Sequence, residues 1–164
     1  MTCIAAAYKN GHGAIGCDSM VSGSSTGLTV TTKVLELGAS CLAGVAGMAI
    51  TIEELRQLPE HEAENQEEHE EYLRGISSML REKQQESYVL TLSPWGIWLV
   101  DGHGVFKITH PIAAIGSGGD IALGAMNTTV KRLWWTPKAT VQRGLEHACE
   151  IAPGCGRPIT IKTL

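Results

Sequence analysis

The chain has 164 residues, a formal net charge of -4 and 43% apolar residues. That length is most simply one domain, residues 1–164, with a substantial buried core, and the apolar share excludes general disorder. A mildly acidic chain offers no basic surface for nucleic acid or an anionic membrane, and no apolar run is long enough to cross a bilayer.

The first two apolar runs, Thr2–Tyr8 and Gly13–Cys17, flank Lys9-Asn10-Gly11-His12. Asn-Gly between apolar runs predicts a hairpin, because a tight primed turn needs positive φ at its centre. Such a hairpin lays the start of the chain beside Asp18. Ser19–Gly27 reads as a Ser/Gly-rich loop, and Leu28–Leu37 as two short strands bent near Thr31 and Thr32. Cys41–Gly47 is a run of small apolar residues, predicting a strand buried on both sides. Gly47 is a place where backbone can approach a substrate closely. Apolar residues at 48, 50, 52, 55 and 58 predict a helix over Met48–Leu58, stopped by Pro59.

An acidic block follows, Glu60, Glu62, Glu64, Glu67, Glu68, Glu70 and Glu71, with His61 and His69 interleaved. Glu and His at such spacing can suggest a metal site. The reading adopted is a solvated helix face and the loop leading into it, with no metal or cofactor. Tyr72, Leu73, Ile76, Met79 and Leu80 form a helical stripe, so a second helix is predicted from about Asn65 to Gln85. Ser87–Leu92, Ile97–Val100 and Val105–Ile108 then read as an antiparallel meander. Pro111–Ile115 adds a strand that runs into Gly116-Ser117-Gly118-Gly119. A helix is predicted from Ile121 to about Leu133, broken by Trp134-Trp135-Thr136-Pro137. The last helix is capped by Thr140, carries Val141, Leu145, Ala148 and Ile151 on one face, and ends at Pro153-Gly154-Cys155-Gly156. Pro158–Thr163 closes the chain as a strand. Two antiparallel sheets stacked face to face, with helix pairs outside, accommodate this order, an α+β arrangement. A parallel sheet would need strict strand–helix alternation.

The five cysteines are scattered, odd in number and form no C-x-x-C pair, as expected of reduced thiols in the cytoplasm. The chemistry centres on Thr2. It follows Met1, which is usually trimmed before a residue this small. Trimming leaves a threonine with a free α-amine on a rigid strand, a nucleophile and a base in one residue. An α-amine has a reference pKa of about 7.7–8.0 and is partly neutral near neutral pH, so it can accept the hydroxyl proton. A nearby cation favours its less positive form. Lys33, in an otherwise apolar strand, is the candidate, and Asp18 can partner its ammonium. Gly47 can offer a backbone N–H to a developing oxyanion, and Ser117 can orient the amine or a water. Singly, each has a plainer reading. Thr2 is an ordinary β-former, Asp18 a strand-end residue and Lys33 a surface lysine lying along apolar surface. The glycine-rich turn at 116–119 can be a phosphate nest, although it lacks the Lys-Ser/Thr of a P-loop.

Together, Thr2, Asn10-Gly11-His12, Gly16-Cys17-Asp18, Thr32-Lys33-Val34, Ala43-Gly44-Val45-Ala46-Gly47, Ala114-Ile115-Gly116-Ser117-Gly118-Gly119 and the helix from Thr140 to Ala152 resemble the HslV peptidase, the bacterial relative of proteasome β subunits. The resemblance covers most of the chain and is weakest over Glu60–Gly104. It implies a four-layer αββα sandwich of the N-terminal-nucleophile hydrolase type. By position it makes Thr2 nucleophile and base, Asp18 and Lys33 the charge pair beside it, Gly47 the oxyanion donor and Ser117 the residue near the amine. It also implies polypeptide substrates, a homo-oligomeric ring and an ATP-driven unfoldase partner. The chain departs from that pattern at Pro153–Gly156, which carries no carboxylate where the family usually has an acidic residue, and at Ser19, which stands in place of a glycine. A catalytically inactive ring or scaffold subunit, and an amidase acting on small molecules, are the competing expectations.

Overall fold

The computed structural model describes residues 2–21, 29–30 and 32–164. Met1, residues 22–28 of the predicted loop and its strand, and the bend position Thr31 lie outside the described residues. Asn10 and Gly11 take φ of +52° and +81°, the two left-handed positions of a primed turn. They close β1 (Ile4–Lys9) onto β2 (His12–Cys17), with Ile4 opposite Cys17. β3 (Met20–Val21) and β4 (Thr29–Val30) form a two-stranded ribbon. β5 (Val34–Gly38) and β6 (Cys41–Ala46) follow, then α1 (Ala49–Arg56) and α2 (Gln66–Glu82). The meander is β7 (Tyr88–Ser93), β8 (Gly96–Asp101) and β9 (Gly104–Ile108). β10 (Ile112–Ile115), α3 (Gly119–Val130), α4 (Pro137–Ile151) and β11 (Thr160–Thr163) complete the chain.

Strands β5 to β9 make a five-stranded antiparallel sheet in chain order, and the other large sheet runs β10-β1-β2-β11, also antiparallel. β1 therefore has a partner on each side. Period-2 alternation divides its side chains. Ile4 and Ala6 meet Ile15, Leu90 and Leu92 between the sheets, whereas Cys3, Ala5 and Ala7 face Met126, Leu145 and Ala148 of α3 and α4. Leu73, Ile76 and Leu80 of α2 cover Cys41, Val89 and Val100 on the far side. The architecture is thus an α+β, four-layer αββα sandwich. The two sheets meet closely: a Cβ at Gly44 would lie 2.3 Å from Ile4 Cγ2.

Two expectations are corrected. The cap of α4 is Thr136, whose hydroxyl accepts a hydrogen bond from Ala139 N–H at 3.3 Å, and not Thr140, which is fully buried in the first turn. Pro137 fixes the first helical φ, so the helix begins earlier than its apolar stripe. His61 and His69 do not belong to a solvated face; both are buried. His69 shares the stripe of Leu73, Ile76 and Leu80 at helical spacing, while the glutamates beside it stay outside.

Candidate active site

Thr2 lies two residues before β1 and is half-buried. The turn after β10 holds its backbone. Thr2 N–H donates to Ser117 Oγ at 3.2 Å, and the Thr2 carbonyl accepts from Gly118 N–H at 3.2 Å. Gly116 permits this approach, because its φ is +87° and a Cβ there would sit 2.2 Å from the Thr2 carbonyl oxygen.

Asp18 is fully buried one residue beyond β2. The β1–β2 register sets it against Cys3, whose N–H donates to Oδ1 at 2.8 Å while the Cys3 carbonyl accepts from Asp18 N–H at 3.1 Å. Lys33 stands just before β5 and is 3% exposed. Its Nζ donates to Asp18 Oδ1 at 2.7 Å and to the Met20 carbonyl at 2.6 Å. Asp18 Oδ2 accepts from Met20 N–H at 3.0 Å and Gly156 N–H at 3.3 Å. A buried ion pair is tolerated only when its remaining polar valences are filled, and backbone groups fill them here.

Gly47 directly follows β6 and is exposed, with φ of +137°. A Cβ at Gly47 would fall 2.6 Å from Ser87 Oγ, and Met48 N–H donates to the same hydroxyl at 2.9 Å. Val45 N–H donates to the Lys33 carbonyl at 3.0 Å, so Gly47 lies two residues further along the strand beside Lys33. Among the described residues no hydrogen bond joins Gly47 to Thr2. The structure therefore brings together Thr2 with Ser117 and Asp18 with Lys33, coupled through Cys3, and sets Gly47 one strand away.

Sequence reasoning missed the backbone groups of Cys3, Met20 and Gly156. A main-chain N–H or carbonyl has no signature in residue type, and only the Gly at 156 hinted at a close approach. Gly156 serves at the turn that lacks the expected carboxylate: besides its N–H to Asp18, its carbonyl accepts from Ser19 N–H at 3.1 Å. Cys155 beside it neighbours Cys3, and that contact together with burial pushes the Cys3 thiol well above its ordinary pKa. A Cβ at Gly118 would fall 2.5 Å from Cys155 Sγ, so this thiol abuts the turn that holds Thr2.

No family model matches the sequence, and no curated protein matches it. Solved structures do. The chain is similar to "Thiobacillus denitrificans BPH in complex with Epoxomicin", with a TM-score of 0.82 at 20% identity over 99% of this chain and 98% of that one. It is similar to Thiobacillus denitrificans BPH without that ligand named, with a TM-score of 0.80, 20% identity and coverage of 99% and 97%. HslV from Trypanosoma brucei gives a TM-score of 0.79 at 16% identity, covering 99% of each chain. The fold is the HslV-type sandwich over nearly its whole length. No described helix is long and apolar enough to cross a membrane.

Proposed function

We propose that this chain is a threonine-type peptidase subunit of a self-compartmentalising protease, acting through Thr2 once Met1 is removed. The observation that carries it is the seat of residue 2: its nitrogen lies 3.2 Å from Ser117 Oγ, and the next residue is bonded to the carboxylate that holds Lys33. In this reading the Thr2 hydroxyl attacks a peptide carbonyl while its own α-amine takes the proton. Lys33 supplies positive potential, Asp18 fixes that ammonium, and Gly47 N–H bonds the tetrahedral oxyanion. The amine then protonates the leaving nitrogen, and water hydrolyses the ester. The shared fold supports a homo-oligomeric ring in the cytoplasm, fed with unfolded polypeptide by an ATP-dependent unfoldase.

Intact mass and epoxomicin, a peptide epoxyketone, test this directly. The expected result is a chain lacking Met1 that gains one epoxomicin adduct mapped to Thr2. Thr2→Ala should lose the adduct and cut peptide turnover by on the order of 10⁴ or more, with no change in melting temperature. A chain that keeps Met1, or a Thr2→Ala variant that still cleaves peptides, overturns the assignment. The missing carboxylate at 153–156, with Gly156 backbone at Asp18 instead, favours one second reading, an inactive ring subunit. That reading gives ordered oligomers with no adduct.

A further inference from the structure

Far from Thr2, three metal-ligating side chains meet in the core between α2 and the five-stranded sheet. They are Cys41 at the start of β6, His61 in the connection between α1 and α2, and His69 in the first turn of α2. All three are buried, at 0%, 2% and 0% exposure, and their donor atoms lie within 4.8 Å of one another. His61 Nε2 and His69 Nδ1 share a hydrogen bond of 2.7 Å. One such bond uses one hydrogen and one lone pair. Two neutral rings then leave one bare lone pair and one N–H on their outer nitrogens. Those atoms, His61 Nδ1 and His69 Nε2, are buried with no partner among the described residues, and Trp98 Nε1 beside His69 is in the same state. Leaving each such group unpaired is unfavourable, and so many in one spot need a physical cause.

We propose that Cys41, His61 and His69 supply three ligands to a thiophilic divalent metal ion of the Zn2+ type, a water completing its tetrahedron. Thiolate and imidazole are the donors such an ion prefers. Ligands on one tetrahedral zinc stand roughly 3.3–3.6 Å apart, given bonds of about 2.0 Å to nitrogen and 2.3 Å to sulfur; donors within 4.8 Å reach that spacing by side-chain adjustment, which breaks the 2.7 Å His61–His69 hydrogen bond. Imidazole binds such an ion through a neutral ring nitrogen, and each histidine has one ring nitrogen within the cluster. Binding releases the Cys41 thiol proton to solvent as the sulfur–metal bond forms. The enclosure is apolar and aromatic: Leu73 and Ile76 pack against Cys41, and Tyr72 and Trp95 stand edge-on or tilted against the imidazoles.

The position gives the ion a task. Residues 57–65 have no regular structure; His61 N–H donates to the Leu37 carbonyl of the sheet at 2.6 Å, and Tyr72 Oη of α2 donates to the Pro59 carbonyl at 3.0 Å. A metal here ties strand, connection and helix at one point. The site owes nothing to the peptidase reading, and neither stands or falls with the other.

The test uses the full chain, reduced and stripped with chelator. One equivalent of Co2+ should produce a thiolate-to-cobalt charge-transfer band and intense tetrahedral d–d bands, both displaced by Zn2+. Zn2+ alone, at about 100 times its Kd, should raise the melting temperature by on the order of 5–10 °C. Cys41→Ala should lose the charge-transfer band and the shift, whereas Cys149→Ala should keep both. The wild-type spectrum reads sulfur ligation without any variant, so misfolding of Cys41→Ala would not obscure the result. A wild-type chain with no charge-transfer band and no Zn2+ shift, or metal uptake that persists unchanged in Cys41→Ala, overturns the proposal.

Discussion

Asp18 carries its charge with no exposure because four donors reach it: Cys3, Met20 and Gly156 N–H groups and the Lys33 ammonium. The two partners of the ion pair are not equivalent. Without Lys33, the carboxylate keeps three backbone donors. Without Asp18, the ammonium keeps only the Met20 carbonyl among the described residues. Asp18→Ala is therefore expected to cost about 3–5 kcal/mol, with Lys33→Ala costing less, read from urea unfolding midpoints at constant m-value. Equal losses, or the reverse order, would mean that the backbone donors do not sustain the carboxylate. Asp18 and Lys33 were legible in the sequence because a charge inside an apolar run demands a partner. The groups that complete their shell were not, since main-chain donors look alike at every position.

At the scale of elements, the Asn10-Gly11 turn and the stripe of α2 could be read directly. Both are local: φ preference fixes one, 3.6-residue periodicity the other. The start of α4 was harder, because Thr136 and Thr140 both precede apolar residues and only Pro137 separates the choices. The structure gives Thr136 the capping bond and leaves Thr140 Oγ1 buried without a partner among the described residues. Thr136→Ala is expected to cost about 1 kcal/mol, and Thr140→Val to be neutral or slightly stabilising. Chemical denaturation of the two variants side by side checks this; a larger loss from Thr140→Val would return the cap to the later residue. His61 and His69 escaped for a different reason. Seven glutamates at 60–71 dominate the local pattern, and burial of the histidines arises from sheet contacts far along the chain.

For the whole molecule, the spacing of the two sheets is set by small residues. Gly44 faces Ile4, and Gly13 faces Leu92, whose Cδ1 would lie 2.7 Å from an added Cβ. Gly44→Ala is expected to destabilise by about 1–3 kcal/mol through overpacking, measured as a lower melting temperature. Combining it with Ile4→Ala should cost less than the sum of the single changes, because the two sites share one space. Strict additivity would show that the sheets can slide apart to admit the methyl. The layered order was legible from the succession of strands and helices, but this tight seam was not: it depends on which glycine meets which isoleucine across the sandwich.

Thr2 stands two residues before a strand flanked on both edges and pressed against the seam at Ile4. A reactive group mounted there has almost no slack: it is aimed before any visitor arrives. In the proposed function, whatever reaches it must be brought to a fixed point, so selectivity falls to the surrounding walls rather than to the adaptability of the attacking end.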